Sequence, residues 1–416
     1  MNFLKGTVEG VVRGSTPWKT YQFGDMTHAV MGTLLQDRWS SLLNQPVDSE
    51  TTKTILFVGD GPVALWTAIQ IKLLAPNCNV IIRGKHASYA RNHVVILDAS
   101  TLKTPLADRS IVFRTMIESV GPDICIHDLH AKFAAVAHLL GVVLQEPSAV
   151  TPGNIQDECL SSCDVLIGAD GAHSIVRQAL FNNTLTKTEG ALYVVEVKYV
   201  AHNPTEKMSG MLRYALIKAC QRFVTEHVSY DETTGISRIT VRFMVTGPEF
   251  VSFSGATFAC PWTLSHEMPS TVAFAIKVWL GARQYYCKEE RVRFSERITS
   301  FVLAPYRSLC FTRTVNGKPV ALVGDAAFGV PFFESLRHGL LCGTLLAHLV
   351  LSPQQEALAE YDSYVDAAAD AAIDSARGKQ SLVDGAAAWC NVSSIMPWQV
   401  VTIDLELIDA WANSTF

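Results

Sequence analysis

The 416-residue chain has no apolar run approaching the roughly 18 residues of a membrane-spanning helix, no CxxC pair, no internal repeat and no excess of positive charge. Each absence excludes a class of protein. With 34 Lys and Arg against 39 Asp and Glu, the net charge is −5, and no basic field exists to hold a phosphate backbone, so no nucleic-acid partner is expected. The most apolar stretch, Gly339 to Leu351, is about one bundle helix long and follows Arg337 and His338, which reads as core and not as a transmembrane segment. The 10 cysteines are scattered. Cys159 and Cys163 suit a helix face better than a metal knuckle, and reduced thiols in a cytoplasmic protein are the expectation. The first residues also lack the apolar core and small-residue cleavage site of a secretory leader. His127, His130 and His138 fall near one helix without a third ligand at a metal-binding spacing, so they read as solvated or capping side chains, and no metal is expected. No GxSxG elbow supports serine-nucleophile chemistry.

What the chain has is apolar surface. Hydrophobic residues are 49% of it and charged residues 18%, which excludes a disordered chain, because this much apolar surface can offset the entropy of ordering. Residues 1–52 read as a helical extension, with Val30, Met31, Leu34, Leu35, Leu42 and Leu43 at helical spacing. The apolar run Thr54-Ile55-Leu56-Phe57-Val58 then ends in Gly59-Asp60-Gly61-Pro62, followed by a helical pattern over Val63 to Leu74 and a second strand at Asn79 to Ile82. Strand, glycine turn, helix and strand form a βαβ unit, whose strands are apolar on both faces as a parallel sheet requires. A helix near Leu129–Leu140 and a strand at Asp164–Ile167 continue the alternation. Between 186 and 300 the period changes to 2, as in Tyr193–Tyr199 and Arg238–Val245, with one helical interruption from Met208 to Phe223. That pattern predicts an antiparallel sheet. The βαβ texture returns at Val320–Val323. The predicted fold is α/β: a Rossmann-like domain of 53–185 and 301–375, an inserted antiparallel-sheet domain of 186–300, and helical segments at 1–52 and 376–416.

Three strand-to-turn strings carry chemistry. Gly59-Asp60-Gly61-Pro62-Val63-Ala64 is a GxGxxA between strand and helix, where glycines let the backbone approach a pyrophosphate and the helix N-terminus offers free N–H groups. The acidic residue usual after the second strand is missing, since that stretch reads Arg83-Gly84-Lys85, and Asp60 puts a negative charge beside the phosphate position. The second string is Asp170-Gly171-Ala172-His173-Ser174-Ile175-Val176-Arg177, in which Ser174 is placed to cap a helix. The third is Gly324-Asp325-Ala326-Ala327-Phe328-Gly329-Val330-Pro331, whose carboxylate can accept hydrogen bonds from sugar or ribityl hydroxyls.

Together and in this order, these strings resemble the class A FAD-dependent monooxygenases, the p-hydroxybenzoate hydroxylase-like superfamily, over about 55–375. Within it the pattern is most similar to the MICAL monooxygenase domain, through the helical preface, Arg91-Asn92-His93-Val94-Val95, and the segment from Ile124 through Val142. The calponin-homology and LIM modules of MICAL proteins are absent, so an actin substrate does not follow. The resemblance implies FAD held at Gly59, Gly61 and Ala64 (pyrophosphate), Arg91 (phosphates and flavin), Asp170, and Gly324 with Asp325 (ribityl), with Pro331 beside the ring. After Pro331 the sequence departs from the family's glycine-rich turn, reading Phe332-Phe333-Glu334-Ser335-Leu336-Arg337-His338-Gly339.

The implied activity is hydroxylation of an apolar or aromatic small molecule, with NAD(P)H as transient reductant and O2 as oxidant. Phe243, Phe250, Phe253, Phe258, Trp262, Phe274 and Trp279 are candidates for the substrate pocket or for plain core. No side chain is singled out as catalytic. Two alternatives stay open: epoxidation or oxidative cyclisation by the same cofactor, and a flavoprotein-fold binding subunit with lost or atypical FAD binding, which the Arg83-Gly84 pair and the 332–338 turn motivate.

Overall fold

A computed structural model of the chain describes residues 26–392, except 87, 90, 92, 98–100, 103, 122, 184, 188–190, 332, 333 and 355. Residues 1–25 of the expected N-terminal extension, 393–416 of the C-terminal segment, and Asn92, Phe332 and Phe333 of the motifs lie outside the described residues. Two compact units emerge, one of Leu34–Leu192 with Val302–Lys379, the other built on Tyr193–Phe301.

In the first unit the run Thr54–Val58 forms strand β1, buried from Ile55 onward, near the middle of a six-stranded sheet. Helix α1 (Met26–Leu43) precedes it and buries Leu42 in the unit's core. β1 pairs in parallel with β2 (Asn79–Arg83) on one side and with β6 (Val165–Gly168) on the other. β5 (Val143–Gln145) extends the sheet beyond β2. β14 (Lys318–Leu322) extends it in parallel beyond β6, and β13 (Thr312–Val315) closes that edge antiparallel. Strand order reverses between β1 and β6, and ligands of doubly wound sheets bind outside the carboxyl ends of the strands at such a reversal.

Helix α2 (Pro62–Leu74) is apolar on nearly every face because it lies under protein all round. Each of its large aliphatic side chains, such as Leu65 and Ile69, contributes roughly 1.5–3 kcal/mol by leaving water. Its buried polar groups are paired: Trp66 Nε1 and Gln70 Nε2 both donate to Thr344 Oγ1, at 3.0 and 2.8 Å. Thr344 belongs to α9 (Glu334–Leu349), so the apolar stretch around Gly339 is core helix. Around this layer lie β3 (Val94–Ile96) paired with β4 (Asp123–Cys125), α3 (Ile111–Glu118), α4 (Ile126–Leu139), α5 (Ile175–Leu180), and a small sheet of β7 (Leu185–Lys187), β12 (Tyr306–Ser308) and β15 (Phe328–Gly329). Helix α10 runs unbroken from Ala357 to Val392 across residue 376, and buries Tyr361, Val365 and Ala369.

The second unit is a four-stranded sheet in the order β11 (Arg297–Leu303), β8 (Leu192–Ala201), β10 (Ile236–Val245), β9 (Val224–Asp231). β10 is antiparallel to both of its neighbours. Helix α6 (Gly210–Cys220) matches the predicted interruption, and the short α7 (Gly247–Val251) carries a Thr246–Glu249 capping box. Helix α8 (Ser270–Tyr286) was not expected: Phe274 and Trp279 stand on it and not on a strand, because Val272, Ala275, Ile276, Trp279 and Ala282 repeat at helical spacing and bury one face. Of the candidate aromatics, Phe243, Phe253 and Trp279 are fully buried core, whereas Phe258 and Phe274 are exposed.

Candidate cofactor-binding site

The three strings follow β1, β6 and β14, so the parallel sheet delivers them to one edge. Backbone bonds carry the ladder into the loops: Ala169 N donates to Val58 O at 2.8 Å, Gly59 N to Arg83 O at 2.9 Å, and Val323 N to Gly168 O at 2.9 Å. Gly59 has φ +104°, and a Cβ there would collide with the backbone at Ala169 and Asp170, so only glycine lets the first two loops lie this close. At Gly61 a Cβ would meet nothing within 4 Å, which leaves the approach to the N-terminus of α2 open. Gly61 caps that helix without a side-chain hydrogen bond, and Pro62 follows at its start, so the N–H groups of the next residues face outward as donors. Ala64, the third position of the turn, lies in the first turn of α2. It is fully buried and serves close helix packing, leaving only its N–H for a phosphate.

The second loop is built around Asp170. Its Oδ2 accepts from Ile175 N at 2.5 Å and Val176 N at 3.3 Å, while Ser174 Oγ caps α5 by accepting from Arg177 N at 3.0 Å. Asp170 Oδ1 is buried and has no hydrogen-bond partner. Burial raises the carboxyl above its ordinary value, opposed by the hydrogen bonds from Ser174 and the helix N-terminus. Arg177 is buried and staples two loops, donating to Ala326 O and Ala172 O, both at 2.6 Å. That explains the motif arginine as a structural tie and not a ligand contact.

In the third loop Gly324 is buried with φ +63° against Val63 of α2, and Asp325 follows it. Arg91 meets Asp325 there, with Nη1 at 4.0 Å from Oδ2, and its guanidinium also lies beside Gly171. The two side chains are 59% and 34% exposed, so the pair borders an opening and is not sealed in core. The protein around Asp325 raises its carboxyl, and Arg91 pulls it back down. Pro331 is buried at the end of this loop. The unusual 334–338 segment is the first turn of α9, where Ser335 Oγ bonds both the N–H and the carbonyl of Val330, at 2.8 and 3.0 Å.

Three residues that the sequence did not assign to the site complete it, among them His130, which read as a solvated or capping side chain. Tyr306 Oη donates to the Asp325 carbonyl at 2.8 Å and fixes that loop, and burial holds its phenol protonated. His130 Nε2 lies 2.9 Å from the Asp60 carbonyl, and its ring stacks on Tyr89 at 4.3 Å and 6°. Burial lowers the imidazole's pKa, with Asp60 opposing, and because a carbonyl only accepts, Nε2 is the donor of this bond. Burial also pushes Tyr89 up to about 12. HxxH is the only local signal that touches any of the three, and its meaning here is a loop anchor rather than a metal ligand.

These loops fit a dinucleotide such as FAD. The helix N-terminus is open, the orphaned Asp170 Oδ1 lacks a donor, and the Arg91–Asp325 pair stands half exposed at the same sheet edge.

No family model matches the chain, and no curated protein matches it in sequence. Solved structures do match in fold. A 2-methyl-3-hydroxypyridine-5-carboxylic acid oxygenase superposes with a TM-score of 0.53 at 15% identity, over 82% of this chain and 96% of that one. CmlS, a flavin-dependent halogenase, superposes with a TM-score of 0.50 at 12% identity, over 76% of this chain and 62% of that one. Neither is a MICAL domain, and the finer likeness at 91–95 rests on the sequence alone. The chain shares the fold of these two structures.

Proposed function

We propose that the protein is an FAD-dependent monooxygenase that hydroxylates an apolar or aromatic small molecule with NAD(P)H and O2. The observation that carries this reading is the convergence of three loops on one sheet edge, where Asp170 Oδ1 is a buried acceptor without a partner and Arg91 stands half exposed beside Asp325. The oxygenase and flavin-dependent names of the two fold neighbours support the same class. Under this reading the unit of 53–185 and 301–375 holds the cofactor, and 186–300 takes the substrate. The cysteines from Cys78 to Cys342 form no disulfide, which fits a reducing cytoplasm.

Gly59 and Gly61 would admit the pyrophosphate to the N-terminus of α2, whose unpaired N–H groups and dipole favour negative charge. Arg91 would neutralise phosphate or flavin charge, and Asp325, oriented through Tyr306, would accept from ribityl hydroxyls. Asp170 Oδ1 would take a donor, and Pro331 would lie beside the ring. Bound FAD would supply the redox chemistry, while the chain positions it and tunes its surroundings. The test is to load the purified chain with FAD and record its reduction by NADH and by NADPH, then O2 uptake on exposure to air. Reduction by a nicotinamide followed by rapid reoxidation is expected. An FAD-loaded chain that neither nicotinamide reduces would refute it.

A further inference from the structure

The end of β2 poses a problem for the reading above. In dinucleotide-binding βαβ units a carboxylate there accepts the hydroxyls of the adenosine ribose. Here Arg83 closes the strand, and its guanidinium is committed to Gln145 Oε1 at 3.0 Å and to Glu158 Oε2 at 3.3 Å. Gly84 follows, with no side chain at all. The space beside Gly84 is nevertheless filled by a carboxylate. A Cβ built on Gly84 would lie 2.7 Å from Asp60 Oδ2 and 2.8 Å from Asp60 Cγ. The Asp60 carboxylate therefore occupies the volume that the first atoms of a side chain at 84 would claim. An acid on the strand and this acid on the glycine loop exclude each other sterically.

We propose that Asp60 supplies, from within the glycine loop, the ribose-binding carboxylate that β2 lacks, so that it holds the adenosine ribose of the bound dinucleotide. The proposal rests on the FAD reading above. Three features of the site carry it. Asp60 is half-buried, and its backbone is pinned by His130, itself stacked on Tyr89, so the side chain leaves the loop in a fixed direction. No described group donates a hydrogen bond to its carboxylate, which keeps both oxygens available as acceptors. Its turn toward Gly84 also carries the negative charge to the strand end, off the face at Gly61 where the helix N-terminus opens. A charged acceptor at that position selects ribose over deoxyribose and repels a nucleotide carrying a 2′-phosphate.

The experiment measures affinity and does not depend on turnover. FAD is titrated into the full-length chain by fluorescence quenching, and ADP, 2′-deoxy-ADP, 3′-deoxy-ADP and 2′,5′-ADP compete against it. The wild type is expected to prefer ADP over at least one deoxy nucleotide and over 2′,5′-ADP. Asp60→Ala should weaken FAD and ADP by ~10- to 100-fold, as expected for lost hydrogen bonds to a charged group, and bind ADP and its deoxy forms alike. The double variant Asp60→Ala/Gly84→Glu moves the acid back to the strand and should recover most of the loss. A wild type that binds FAD yet treats ADP and both deoxy forms equally overturns the proposal without any variant. So does an Asp60→Ala chain within twofold of wild type, or one that keeps the hydroxyl preference. A wild type that takes no FAD strikes the cofactor reading itself, and the proposal falls with it.

Discussion

The two units use charged residues in opposite ways. In the unit on Tyr193–Phe301, charge is buried and mutually satisfied: Arg283 donates to Glu226 and Glu289 at 2.8 Å each and to Tyr199 Oη at 3.0 Å, all fully or nearly fully buried. Burial opposes the guanidinium's charge, but Tyr199, Glu289 and Glu226 outweigh it and hold the pKa well above its ordinary value. Arg242 with Glu196 at 2.7 Å repeats the arrangement on the sheet. In the other unit, Asp60, Asp170, Asp325 and Arg91 gather at the carboxyl edge of a parallel sheet with acceptors unfilled or side chains half exposed. Charges that satisfy each other specify a fold, whereas charges held apart by backbone are available to a ligand. The contrast sets a self-satisfied ion network against charged groups left open to a ligand.

That contrast can be broken most sharply at Arg283. Arg283→Met leaves two buried carboxylates without their partner and should cost about 3–5 kcal/mol in urea unfolding, much of it regained when Glu226→Gln and Glu289→Gln are added. A loss under about 1 kcal/mol would mean the network is not holding the unit. Arg91→Ala should do the reverse: unfolding of the FAD-free chain shifts by no more than about 0.5 kcal/mol. FAD affinity in calorimetry falls by about 1.5–3 kcal/mol in the same variant.

Acid should blur the contrast, since each unit buries a neutral histidine. Burial lowers His348 to about 4, helped by Arg109, and lowers His227 to about 3, helped by Arg242 and Lys207. For a histidine depressed from 6.5, the unfolded chain takes up a proton that the folded site refuses. Stability is therefore full above 6.5 and is lost as pH falls toward the folded value. For His348 the loss should reach about 2 kcal/mol at pH 5, and His348→Gln should flatten that part of the stability–pH curve. A curve unchanged by the substitution would contradict it. The smallest expected effect is Tyr306→Phe, which frees the Asp325 carbonyl and should cost about 1 kcal/mol in stability together with a measurable loss of FAD affinity.

Much of this was legible in the sequence because it is local. The run Thr54–Val58 and the turn at Gly59-Asp60-Gly61 mark β1 and the start of α2 within a residue, since buried parallel strands are continuously apolar and glycine turns are sharp. The cap at Ser174 was readable for the same reason. Helix α8 was readable too, from Pro269 and the apolar spacing after it, but the alternating strands on either side masked it. Tyr89, His130 and Tyr306 were not readable. Each reaches the site through tertiary contacts across the fold, and a single ring leaves no periodic trace. Asp60 shows the limit most clearly. Its identity suggests repulsion of a phosphate, and only the direction of its side chain, over Gly84, turns it into an acceptor in the right place.

The central claim is that the open edge of the six-stranded sheet is a flavin site. Titrating FAD into the purified full-length chain while following flavin fluorescence and the melting temperature tests it most directly. The account predicts saturable quenching at one FAD per chain, with a melting temperature that rises with FAD concentration as binding to the folded state requires, and with both responses weakened in Arg91→Ala. No quenching and no thermal shift, at FAD concentrations that saturate flavoenzymes of this fold, would contradict it.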